Sequence, residues 1–186
     1  KYLARKPKPS TNDILSIVRP LCAVLSYLHS QSVIHRDVKP DNIFLTSEGG
    51  LKLMDLEISR SQESEDLTKT GIAIGTPFYM APEQARGDLR PESDQYALGV
   101  ILFEMLTGQR PFQSSSPLEL IHQHLSQPPP QARTLNPRIT ILQEAVVNKM
   151  LAKNPAVRFP CMDDCLSALE EALTAGPDEE GTATLI

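Results

Sequence analysis

The spacing of apolar positions divides the chain into helical and extended stretches. Ser10 followed by Asp13 resembles a helix start with an acidic first turn, and Ile14, Val18, Leu21, Leu25 and Leu28 then recur at the interval of one helix face. Pro20 lies inside this run and predicts a kink. Two short apolar runs, Ile43 to Leu45 and Leu51 to Met54, flank the turn-rich TSEGG and predict a β-hairpin. Farther along, SDQYALGVILFEMLTG is apolar on nearly every side, which predicts a helix wrapped by other elements. Pro117 to Leu125, Ile139 to Lys153 and Met162 to Leu173 predict three more helices, separated by QPPPQ and NPAVRFP, where proline breaks the backbone ladder. The closing GPDEEGTATLI lacks a periodic pattern and reads as a tail or the start of a linker.

Composition narrows this picture to one core. With 186 residues, 40% hydrophobic content and no Trp, the chain suffices for one domain or part of one. A net charge of −5, with basic residues scattered except for LARKPK, gives no support to nucleic-acid binding. The most apolar run, Ala97 to Leu106, is too short for a membrane span and is interrupted by Gly99 and Glu104. A soluble, intracellular protein is expected. Cys22, Cys161 and Cys165 read as reduced thiols, because CMDDC has no second Cys/His pair at a zinc-site spacing. The HQH pair, His122 and His124, reads as a solvated helix face.

Candidate chemistry concentrates in VIHRDVKPDNIFL, between the first helix and the hairpin. One reading is a solvated turn, for which Asp, Asn and Pro are ordinary residues. The other is a rigid platform held at both ends by buried β structure. On it, Asp37 is a carboxylate able to accept a proton, Lys39 a point charge for a phosphate or carboxylate, and Asn42 a neutral oxygen ligand for a hard cation. That set suits phosphoryl transfer, which asks for positioning and charge neutralisation more than covalent participation.

Three motifs occur in order: HRDVKPDN; MDLE at 54 to 57; and GTPFYMAPE at 75 to 83. They resemble, respectively, the catalytic loop, the metal-binding DFG and the APE segment of eukaryotic-type protein kinases. An apolar helix opening with Asp94 and a late Arg158 complete the resemblance, which covers residues 10–174. It implies an α+β protein kinase-like fold, in which this chain is the mostly α-helical large lobe with a short β-hairpin. Residues 1–9 look like the end of the short helix after the interlobe hinge, and residues 175–186 like a flexible tail. The small lobe, with its Gly-rich loop, VAIK-type Lys and helix Glu, is absent, so the chain is expected to be a fragment that alone binds nucleotide weakly and transfers little.

The resemblance also implies roles. Asp37 would accept or orient the substrate hydroxyl's proton, Lys39 would neutralise the transferring phosphate, and Asn42 and Asp55 would hold magnesium. Phe44 would lie beneath the adenine of ATP. Lys39 and Thr76 match the pattern that goes with serine/threonine specificity, and GTPFYMAPEQARGD with LTKT before it is most similar to bacterial members of the family. Arg36 would grip a phosphate on Thr68 or Thr70, because a phosphothreonine brings nearly two negative charges. Glu83 and Arg158 match a buried ion pair, and Asp94 would brace the catalytic loop. Protein substrates bearing Ser or Thr and a small-lobe partner are implied, in the cytoplasm, with a membrane anchor in the parent protein left open.

One departure matters. DLE replaces DFG: Leu56 can fill the hydrophobic slot, but Glu57 stands where glycine gives the backbone its freedom, and its carboxylate is close to where metal and phosphates would lie. A pseudokinase, a binding or scaffold module without turnover, is therefore the alternative function.

Overall fold

The computed structural model describes residues 9–46, 49–56 and 77–176. Among these, helices dominate: α1 (Thr11–Ser30), α2 (Pro91–Thr107), α3 (Pro117–Ser126), α4 (Ala132–Leu135), α5 (Ile141–Met150) and α6 (Met162–Thr174). Strands β1 (Ile43–Leu45) and β2 (Leu51–Leu53) form an antiparallel hairpin in the register Ile43 to Leu53, Phe44 to Lys52 and Leu45 to Leu51.

Helix α1 begins where the sequence places it. The Ser10 side chain accepts from the Asp13 N–H, while the Asp13 carboxylate accepts from the Ser10 N–H, a reciprocal cap. The helix continues as one element through Pro20, whose missing N–H removes one intrahelical hydrogen bond. Its apolar face, with Leu21, Cys22 and Leu25 fully buried, packs against α6 and α2. The α5 helix is shorter than its apolar pattern predicts. Thr140 caps it through Gln143, so Ile139 is buried just before the helix and not within it.

Helix α2 is enclosed, with Tyr96, Leu98, Val100, Ile101, Leu102 and Phe103 almost wholly shielded from solvent. Gly99 lets α5 approach closely: a Cβ there would lie 2.9 Å from Met150 Cβ and 3.3 Å from Leu151 Cδ2. Gly99→Ala should therefore destabilise the protein by about 1 kcal/mol net, the overpacking cost of roughly 1–3 kcal/mol exceeding the helix-propensity gain of about 1. A higher urea midpoint for the variant would overturn that expectation.

The HQH expectation fails at one position. Residues two apart on a helix point to different sides, so His122 is exposed while His124 is fully buried. His124 Nδ1 lies 2.9 Å from the Tyr96 hydroxyl, its ring packs edge-on to Phe112, and Lys153 Nζ donates to the His124 and Gln123 carbonyls at the end of α3. Burial, reinforced by the Lys153 charge, pushes His124 down to about 4. The unfolded chain thus takes up a proton below about pH 6.5 that the folded state refuses until about pH 4. Stability is lost across that window as pH falls, about 2 kcal/mol by pH 5. Urea titrations at pH 7.5 and pH 5 should show this loss shrinking in His124→Gln; an equal loss in both proteins would refute it.

All three cysteines are free, Cys22 and Cys165 buried and Cys161 exposed at the start of α6. Among the described residues no group of His, Cys, Asp or Glu assembles a metal site, and no helix is long and apolar enough to cross a membrane.

Candidate active site

The segment after α1 is held from the core. Asp94, buried near the start of α2, accepts from the His35 N–H on Oδ2 and the Arg36 N–H on Oδ1, both at 2.9 Å. Two successive N–H groups converging on one carboxylate form an anion nest, and Arg36 adopts a left-handed φ of 72° to make it. That conformation is costly for a non-glycine residue and persists because Asp94 secures it. His29, at the end of α1, donates to Asp94 Oδ2 at 2.8 Å, joining three segments at one carboxylate.

Beyond the nest the catalytic candidates converge. Lys39 Nζ lies 2.6 Å from Asp37 Oδ2, and Asn42 Nδ2 donates to the same oxygen and to the Asp37 carbonyl, both at 2.9 Å. Asp37 Oδ1 and Asn42 Oδ1 have no partner among the described residues. Two donors on one oxygen fix the carboxylate's orientation and leave the other oxygen available as a proton acceptor. Asn42 sits in a short helical turn opened by Pro40, buried while its neighbours are partly exposed.

Asp55 is placed by backbone links. The Met54 N–H donates to the Asn42 carbonyl at 2.9 Å, and the Met54 carbonyl accepts from His35 Nε2 at 3.0 Å. The residue after this clamp, Asp55, turns left-handed with φ 58° and exposes its carboxylate. Buried His35 thus connects the two motifs, since its Nδ1 also accepts from the Asp37 N–H at 3.4 Å. Phe44 is 54% exposed on the hairpin, with Leu45 and Met54 also uncovered.

Glu83 and Arg158 form the expected pair. Arg158 donates from Nη1 and Nη2 to the two Glu83 oxygens at 2.7 and 2.8 Å, and both side chains are almost wholly buried. Burial alone would raise the Glu83 pKa, but Arg158, a backbone N–H and the Ser93 hydroxyl more than offset it and hold it below the usual carboxylate value. Thr68, Thr70 and Thr76, and Glu57, lie outside the described residues.

Sequence reasoning missed three organisers: His29, His35 and Gln84. Gln84 Nε2 donates to the Arg36 carbonyl at 2.6 Å while its Oε1 accepts from the Ala81 N–H, tying the HRDVKPDN segment to the APE segment. The partners of His29 and Gln84 are distant in sequence, so spacing carries no sign of either. For His35 the signal was its place beside Arg36 and Asp37 in the quoted motif.

The protein kinase domain pattern matches residues 1–168. The chain is 41% identical over 173 residues to the serine/threonine-protein kinase PknD of Mycobacterium tuberculosis, covering 92% of this chain and 26% of that protein. It is 38% identical over 175 residues to PknB of Mycobacterium leprae, covering 93% of this chain and 28% of that kinase. PrkC of Bacillus subtilis is 32% identical over 176 residues, covering 94% of this chain and 27% of that kinase. The chain therefore spans about a quarter of these relatives' length. With the mostly helical architecture and its two-stranded hairpin, these matches place the chain in the protein kinase domain family, among sequences similar to the bacterial serine/threonine kinases.

Proposed function

We propose that this chain is the larger lobe of a serine/threonine protein kinase that transfers the γ-phosphoryl group of ATP, with magnesium, to protein hydroxyls. The observation that carries the reading is the Asp37 carboxylate oriented by Lys39 and Asn42 on a loop anchored to the buried helix. In it, Asp37 takes or orients the proton of the accepting hydroxyl, and Lys39 adds a positive charge beside the transferring group. The donor set suits a hard cation: the free amide oxygen of Asn42 and the exposed carboxylate of Asp55 are oxygen ligands. Magnesium and ATP supply the charge neutralisation and the phosphoryl group. Exposed Phe44, Leu45 and Met54 suit an adenine ring and a small lobe, with residues 10–174 as the lobe proper and 1–9 and 175–186 as flanks.

In the same reading Arg36 holds phosphorylated Thr68 or Thr70, Thr76 belongs to the acceptor-binding segment, and the ATP requirement points to the cytoplasm. The alternative of a scaffold without turnover draws on Glu57 in place of the family's glycine. The test is transfer of label from γ-labelled ATP to protein by the full-length protein, followed by phosphoamino-acid analysis. Magnesium-dependent phosphoserine or phosphothreonine supports the kinase reading. Absence of transfer, also after Glu57→Gly, overturns it in favour of the scaffold.

A further inference from the structure

We infer that Arg110, stacked on Phe78, is a specificity residue that takes a carboxylate of the protein substrate, an Asp or Glu close in sequence to the accepting hydroxyl; this rests on the kinase reading above. Phe78 belongs to GTPFYMAPE, and its neighbour Tyr79 turns inward to donate its hydroxyl to Glu104 at 2.8 Å. The partly buried Phe78 ring is capped by Arg110, whose guanidinium carbon lies 3.4 Å from the ring centroid.

The chain delivers Arg110 to that ring between fixed points. Helix α2 ends in Gly108 with φ 84°, which reverses the backbone, and Arg110 is followed by Pro111 and buried Phe112, whose ring packs 4.9 Å from that of His124. A side chain already held by its backbone and by stacking loses little further freedom on binding.

Stacking uses the face of the guanidinium and leaves the N–H groups of its edge in plane, the geometry that pairs with a carboxylate. Among the described residues no carboxylate lies within ion-pair distance of Arg110. Glu104, whose charge acts on Tyr79 together with that of Arg110, is bonded to the Tyr79 hydroxyl, and Asp41 adds further negative charge near Tyr79. These acids disfavour a second carboxylate beside Tyr79. The chain's net charge of −5 gives acidic partners no general attraction, so the selection is local.

The test uses the full-length protein with Ser-acceptor peptides, in which Asp or its uncharged counterpart Asn is placed at each flanking position in turn. Asp at one or two adjacent positions should raise kcat/KM by about tenfold over Asn, the scale of one partly exposed charge-assisted contact. That ratio should fall towards one in Arg110→Gln, persist in part in Arg110→Lys, and reverse in favour of Lys-bearing peptides in Arg110→Glu. An unchanged position dependence in Arg110→Gln and Arg110→Glu, with transfer intact, overturns the role of Arg110 and leaves the kinase reading standing. No transfer to any peptide by the unsubstituted protein, whatever its sequence, overturns the kinase reading itself and this role with it.

Discussion

Arg158→Met is expected to lower stability by about 3–5 kcal/mol, the cost of stranding a buried carboxylate. Glu83 would lose both bonds from Arg158, and the Ala152 and Glu92 carbonyls would each lose a donor. Packing is lost too, since the guanidinium lies 4.9 Å from the Tyr96 ring centroid. The exposed pair Arg19–Glu170 is the internal control: its separation of 2.5 Å is shorter than either Arg158–Glu83 bond, yet both side chains are well solvated. Arg19→Ala should cost no more than about 1 kcal/mol. Urea midpoints decide the matter, and comparable losses in both variants would show that burial does not govern these pairs. Because the Glu83 pKa is depressed in the folded state, its contribution is present above its unfolded value near 4.5 and fades as pH falls through the folded one. The difference between Arg158→Met and the unsubstituted protein should therefore narrow in acid.

The second large effect is on turnover. In the full-length protein, Asp37→Asn should reduce kcat by about 10²- to 10⁴-fold, the usual worth of a positioned general base. The geometry explains why an isostere does not rescue it. Lys39 and Asn42 both direct donors at Asp37 Oδ2, so the substituted amide would set its oxygen there and present its NH₂ where the acceptor oxygen stood. Melting temperature should change little, because Asp37 is partly exposed and the loop is fixed through Asp94. Initial rates under saturating magnesium-ATP and peptide provide the measurement. A kcat within tenfold of the parent would remove Asp37 from the chemistry.

The hairpin and every described α-helix except the four-residue α4 were legible in the sequence because their cause is local. Apolar residues at helical spacing on α1, and the Ser10–Asp13 cap, act within a few positions. Position along the motifs also announced Glu83, Arg158 and Asp94, although their contacts cross long stretches of chain. His124 misled because a histidine in a polar run carries no local sign that Tyr96 and Phe112 will enclose it. Gln84 and His29 were silent for the same reason: each is an ordinary polar residue whose meaning comes from a partner 48 or 65 positions away. Lys39 and Asn42 were identified as chemistry-bearing, but that both address one oxygen of Asp37 depends on the turn opened by Pro40 and on φ and ψ values that no periodicity encodes.

The Asp94 nest also couples any opening of the HRDVKPDN segment to the buried core. The His35 and Arg36 amides are bound to a carboxylate rooted in the most enclosed helix, so releasing them means withdrawing Asp94 or unravelling the start of α2. Their hydrogen exchange should accordingly be as slow as that of amides in the middle of α2, whereas amides of the three-residue hairpin strands exchange through small local openings. Arg36, irregular by its dihedral angles, would then belong to the same cooperative unit as the core. Asp37, next in the chain to Arg36, is thereby carried on backbone that the buried start of α2 holds in place.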